Sequence, residues 1–324
     1  MNLTGSGPRA RRARRPAPRA VGPAWFNERM SETAVDGGTA AADPGRPATD
    51  PIHLLPTVPA QQPQSRPQPW PPAVRSFVAI GDSFTEGLAD DPGDGVYRGW
   101  ADLVALRLAG FEPELRYANL AVRGKLIAQI ARDQLEPAAA MRPDLVSVAG
   151  GMNDAMRPGC DVDAVRAQIE YCAQVLSEAG GRLVMFKVMD FTRRMPSARR
   201  FQPKANRINE LVDQLVEKYG VVPVDLHSAR VFDDPRLWAP DRIHLTDEGH
   251  RRVAEAVLEA LGYGAGFDWR APLPPAAAPR PGAKLSADLR WLVGFLLPWI
   301  KRRLTGKSSG DGVLPKRPEL TRLL

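Results

Sequence analysis

Between Val74 and Leu261 the chain alternates short apolar runs with longer stretches of helical period, five times over, and no other feature constrains the fold as strongly. Phe77 to Ile80, Leu115 to Asn119, Leu145 to Ala149, Leu183 to Val188 and Val221 to Asp225 read as strands. Residues 97–109, 124–135, 161–178, 204–219 and 247–261 read as helices, the last with Thr246 as N-cap and Asp247 and Glu248 in its positive first turn. Strands joined through helices run parallel, and a parallel sheet is covered on both faces. The expectation is an α/β domain over residues 73–262 with a five-stranded parallel sheet.

Both ends have a different composition. Residues 1–72 are rich in Pro, Gly, Arg and Ala without sustained period, a pattern that buries too little apolar surface to offset ordering entropy and reads as a disordered tail. Arg11-Arg12 and Arg14-Arg15 resemble an export signal, but Pro16 to Arg19 follow in place of an apolar segment, so no signal peptide is expected. Met30 is an alternative start. Residues 263–324 read as a Pro-rich linker followed by a basic amphipathic tail. Its run Trp291 to Ile300, followed by Lys301-Arg302-Arg303, is too short to span a bilayer. Two tryptophans beside a basic cluster suit peripheral membrane contact through residues 289–303; the alternative is a flap packed on the body.

Charge follows the same division. Residues 1–29 carry seven Arg and one Glu, and residues 283–324 carry nine Lys/Arg and three acids. Each end therefore contributes +6 to a net charge of +7, leaving −5 on the segment between. A nucleic-acid module would carry its basic face on the ordered domain, so no nucleic-acid partner is expected. Cys160 and Cys172 bracket a helical stretch whose ends lie roughly 18 Å apart, beyond the ~7 Å reach of a disulfide. Free thiols and a cytoplasmic setting follow.

Four polar signals fall where an open α/β sheet builds its sites, at strand carboxyl ends. Gly81-Asp82-Ser83 follows the first strand, Asn119 to Gly124 the second, and Gly150-Gly151-Met152-Asn153-Asp154 the third, while Asp241-Arg242-Ile243-His244 precedes the last helix. A serine hydroxyl attacks an acyl carbon only with a base to take its proton, a carboxylate to orient that base and donors for the oxyanion. Ser83, His244 and Asp241 fill the first three roles, and the Gly124 N–H and the Asn153 amide suit the fourth. His227 also ends a strand, but Asp-x-x-His supplies its own orienter; His250 reads as a packing or surface residue. Gly306-Lys307-Ser308-Ser309-Gly310 matches the Gly-x-Ser-x-Gly elbow in letters without the strand–turn–helix context. The scattered histidines give no metal cluster, and no cofactor is expected.

In this order the four blocks resemble the SGNH, or GDSL, hydrolase superfamily of lipases and esterases, over roughly Val74 to Leu261. The resemblance implies a three-layer α/β/α flavodoxin-like fold and cleavage of carboxylic, or thio-, esters. It also implies Ser83 as nucleophile, His244 as base, Asp241 as orienter, and the Ser83 N–H, the Gly124 N–H and Asn153 as oxyanion hole. Arg123 departs from the pattern, since members commonly place something smaller before the glycine. The substrate expected is a small-molecule acyl ester; with Arg123, Arg193 and Arg194 as a basic rim, an anionic ester such as a lysophospholipid or acyl-CoA would be preferred, the alternative being a solvated charged loop. The competing function is a catalytically idle scaffold that binds a membrane surface or polyanion through its basic tails.

Overall fold

The computed structural model describes residues 73–93, 96–275 and 283–323; the N-terminal readings for residues 1–72 lie outside these. Strand β1 (Ser76–Gly81) lies between β2 (Arg116–Asn119) and β3 (Leu145–Ala149), and β4 (Arg182–Lys187) and β5 (Val222–Asp225) continue beyond β3, all parallel. Helices α1 (Ser83–Glu86) and α2 (Gly99–Ala109) follow β1. After β2, α3 (Ile127–Ile130) runs through a π turn, Ala131–Leu135, into α4 (Glu136–Ala140). Helices α5 (Met152–Ala155) and α6 (Val162–Glu178) follow β3, α7 (Gln202–Tyr219) follows β4, and α8 (Asp247–Ala260) follows β5. The five strands and their crossover helices fall where the apolar periodicity puts them.

Side-chain alternation along β1 divides the interior into two layers. Phe77 and Ala79 pack with Trp100, Leu108 and Val257, the layer of α2 and α8. Val78 and Ile80 pack with Ile130, Ile169 and Leu211, the layer of α3, α6 and α7. Cys172 is buried in this second layer, and both cysteines are free.

The sheet has six strands rather than five. β6 (Arg317–Arg322) pairs antiparallel with β2, giving the order β5-β4-β3-β1-β2-β6. The C-terminal segment is therefore part of the sheet and not wholly a tail. Arg317-Pro318-Glu319-Leu320-Thr321-Arg322 has no apolar run to announce it because an edge strand is half solvated, and Pro318 is tolerated only at such an edge. What fixes β6 lies just before it. The largely buried Lys316 ammonium donates to the carbonyls of Glu86, Tyr97 and Arg98 at 2.8, 2.8 and 2.6 Å and to Asp102 Oδ2 at 2.9 Å. Between α8 and β6, α9 (Ala283–Trp291), a π turn (Leu292–Leu296) and α10 (Leu297–Leu304) form one continuous helix. Both π turns precede a proline, Pro137 or Pro298, whose missing N–H leaves an upstream carbonyl free and lets the turn widen.

Replacing Lys316 leaves Asp102 and three carbonyls without their shared cation. Lys316→Ala is expected to lower stability by about 3 kcal/mol, read as a fall in the urea midpoint, whereas Lys307→Ala at an exposed position leaves it unchanged.

Candidate active site

The strand order reverses direction at β1, with β2 on one side and β3 on the other, so a crevice opens at their carboxyl ends. Ser83 leaves β1, Gly124 follows β2 and Asn153 follows β3. The turn into Ser83 requires Gly81. Its φ is +155°, and a Cβ there would sit 2.5 Å from the Ala149 carbonyl oxygen and 2.7 Å from Thr85 Oγ1. Asp82 then caps α1 by accepting from the Phe84 N–H at 3.1 Å, leaving Ser83 as the first residue of the helix.

His244 reaches this serine from the loop before α8. Its Nε2 lies 3.0 Å from Ser83 Oγ and its Nδ1 lies 2.6 Å from Asp241 Oδ2. The other Asp241 oxygen accepts from the backbone N–H groups of Ile243 and His244, both at 3.0 Å, so one carboxylate holds both the turn and the imidazole. Burial favours the neutral acid, but these bonds outweigh it and keep the Asp241 carboxyl below the usual range. An ionised Asp241 holds the proton on Nδ1 and leaves Nε2 as the acceptor facing Ser83.

A second set of contacts braces the serine from behind. Gln134, carried on the first π turn, accepts from the Gly81 N–H at 2.8 Å and donates to the Gly81 carbonyl at 2.9 Å. Sequence reading missed this residue; its one signal is a polar side chain at helical spacing from Ile127, Ile130 and Ala138, on the face that is otherwise apolar. Asp82 is buried, and burial pushes its carboxyl up to about 6. The Asn153 amide donates to Asp82 Oδ2 at 3.0 Å and to the Lys125 carbonyl at 3.1 Å. Donation to an oxyanion therefore requires one of these bonds to be exchanged. Asp154 reaches the Ile127 N–H at 3.0 Å and ties the loop of Gly124 to that of Asn153.

Two of the three rim arginines are committed elsewhere. Arg123 forms a forked ion pair with Glu86 on α1, and its N–H also donates to Glu86 Oε2 at 2.6 Å. It is an internal clamp between the Gly124 loop and the helix of Ser83, which explains the larger side chain before the glycine. Arg193 pairs with Asp190 at 3.3 Å and lies 3.9 Å from Asp233. Arg194 differs: its guanidinium stacks 3.5 Å over Trp238, one buried nitrogen, Nη2, has no hydrogen-bond partner, and burial pushes the group down to about 10. Of the two rival histidines, His227 Nδ1 lies 3.1 Å from the Val188 carbonyl. His250 is a buried packing residue that accepts from the Trp100 N–H at 3.3 Å, and burial pushes it down to about 4. The Gly306 to Gly310 segment is a loop in which Ser308 Oγ donates to the Gly124 carbonyl at 3.4 Å.

Ser83, His244 and Asn153 border a cavity of about 120 Å³ whose other walls are overwhelmingly apolar, including Met152, Ile169, Met185, Phe186 and Ile208. It extends from the serine toward the layer of α6 and α7. Among the described residues no group of three or more His, Cys, Asp or Glu is arranged to hold a metal ion.

Comparison with known proteins identifies the family and the fold. Residues 79–252 match the model of the GDSL-like lipase/acylhydrolase family. An acetylxylan esterase from Geobacillus stearothermophilus is 26% identical over 216 residues, covering 60% of this chain and 94% of that protein. A crystal structure of a catalytic mutant of the same organism's acetylxylan esterase Axe2 superposes with a TM-score of 0.50 at 21% identity, covering 60% of this chain and 95% of that one. LAE5, an α/β-hydrolase enzyme from the metagenome of Lake Arreo, Spain, gives a TM-score of 0.50 at 22% identity, covering 59% and 96%. With Ser83, Gly124 and Asn153 at the switch point of a flavodoxin-like sheet and the family match spanning all four blocks, the chain belongs to the GDSL-like lipase/acylhydrolase family of esterases.

Proposed function

We propose that this chain hydrolyses carboxylic esters through an acyl intermediate on Ser83. One observation carries the reading: an unbroken hydrogen-bonded line from Ser83 Oγ through the His244 ring to Asp241, with Ser83 and His244 in the wall of an apolar cavity. His244 Nε2 takes the hydroxyl proton as Oγ attacks the carbonyl carbon, and ionised Asp241 stabilises the imidazolium that forms. The N–H groups of Ser83 and Gly124 and the Asn153 amide hold the developing oxyanion. His244 then protonates the departing alcohol, and the reverse sequence with water releases the acid. The catalytic mutants of Axe2 alter a serine, a histidine and an aspartate, the same three residue types.

The cavity supports an ester with an apolar acyl group that enters beside Met152 and Met185. A second reading follows from the acetylxylan esterase relative: acetylated carbohydrate, with only an acetyl group at the serine. Arg194, stacked on the cavity-lining Trp238, is the cation left to meet an anionic portion of the substrate, because Arg123 and Arg193 already have carboxylate partners.

Three outcomes test these assignments. Ser83→Ala abolishes turnover with an unchanged circular dichroism spectrum, and Asn153→Ala lowers kcat by ~10²- to 10³-fold; full activity of Ser83→Ala refutes the mechanism. Across p-nitrophenyl esters, kcat/KM rises by about three- to fourfold per added methylene until the cavity is filled, whereas a maximum at acetate selects the carbohydrate reading. Arg194→Gln lowers kcat/KM for an anionic ester and spares a neutral one of equal chain length; an equal effect on both removes Arg194 from substrate recognition.

A further inference from the structure

The continuous helix of α9, its π turn and α10 leaves much of its apolar surface uncovered. Leu289, Leu292, Val293, Phe295, Leu297 and Ile300 are between 37% and 61% exposed. None of these side chains belongs to either hydrophobic core of the described residues. Six large apolar groups concentrated in twelve residues differ from the scattered exposed hydrophobics of an ordinary surface and mark a site of association.

Polar contacts hold the helix beside the candidate active site. The Trp291 indole N–H donates to the Asp241 carbonyl at 2.8 Å. Arg242 stacks 4.8 Å over the Trp291 ring and pairs with Asp288 at 2.6 Å. Arg242 itself has φ +68°, a left-handed conformation that a non-glycine residue keeps only when its surroundings hold it. The turn that carries Asp241 and His244 is thus fastened to the helix that displays the apolar face.

Charge identifies the occupant. From Leu289 to Leu304 the sequence holds Arg290, Lys301, Arg302 and Arg303 and no acid, and the nearest acid, Asp288, is paired with Arg242. Arg290, Lys301 and Arg302 are exposed at the two ends of the apolar stretch. A second copy of this face would set cations against cations in either orientation. An anionic bilayer matches both features, taking the apolar side chains below its headgroups while its phosphates meet the cations. No helix among the described residues is long and apolar enough to cross a membrane, so the geometry is that of a helix lying on the surface. We propose that this helix is a docking surface for an anionic lipid membrane, which would set the Asp241–His244 turn next to the bilayer.

Co-sedimentation of the full chain with lipid vesicles tests the proposal without relying on catalysis. The chain is expected to pellet with mixed phosphatidylcholine/phosphatidylglycerol vesicles, to remain soluble with pure phosphatidylcholine, and to be released as salt is raised. Val293→Glu/Phe295→Glu is expected to weaken binding by at least about tenfold, and Lys301→Glu/Arg302→Glu by about tenfold. Both variants should keep the wild-type circular dichroism spectrum and turnover of a soluble short-chain ester. No binding to either vesicle, binding that ignores these substitutions, or equal binding to neutral vesicles overturns the proposal. So does a dimer in sedimentation velocity that Val293→Glu/Phe295→Glu abolishes while vesicles stay unbound, since that outcome assigns the face to a second copy. Loss of turnover without loss of vesicle binding bears on the esterase reading alone.

Discussion

Burial of β1 on both faces is the constraint on which the rest of the structure depends. Phe77, Val78, Ala79 and Ile80 are all buried, with consecutive side chains feeding opposite cores, so the strand can neither slide nor flip without exposing one layer. Its end is held as firmly, by the close approach of Gly81 to β3 and by the paired hydrogen bonds from Gln134. Ser83 stands two residues beyond that fixed point. The position of the hydroxyl is therefore set by hydrophobic packing, and its distance to His244 depends on the same core through α8.

Polar contacts add what apolar packing lacks, a direction for each loop. Lys316 holds Asp102, which accepts from the Tyr117 hydroxyl at 2.7 Å. The Asn119 amide donates to that hydroxyl and to the Thr85 carbonyl on α1, at 2.9 and 3.0 Å. The Arg123–Glu86 clamp meets α1 from the other side. Thus the C-terminal segment, through Lys316 and through Ser308 against the Gly124 carbonyl, supports the helix of Ser83 and the Gly124 loop. The Asp241–His244 turn is in turn attached to the exposed apolar helix by Trp291 and Arg242.

What the sequence discloses is what periodicity and short motifs encode. The five parallel strands and the helices between them were legible because two-sided burial writes nearly continuous apolar runs. The Asp-x-x-His spacing was legible because both side chains belong to one turn. β6 was not, since a half-solvated edge strand carries no apolar signature and is held by the burial of Lys316 beside residues more than two hundred positions away. The fate of the arginines was illegible for the same reason: only the fold shows that Arg123 faces Glu86 while Arg194 lies against Trp238. Gln134 escaped because its partner is a backbone group, and the sequence does not reveal which backbone a buried amide will meet.

An ordered Ser–His–Asp line supports acyl transfer only if His244 draws the proton from Ser83, and that claim has a direct measurement. Treatment with a fluorophosphonate followed by peptide mass spectrometry is expected to show stoichiometric modification at Ser83 in the wild-type chain and none at that residue in His244→Ala. An unmodified Ser83 in the folded wild-type chain, or equal modification after His244 is removed, would contradict the account and leave the fold as an inactive scaffold.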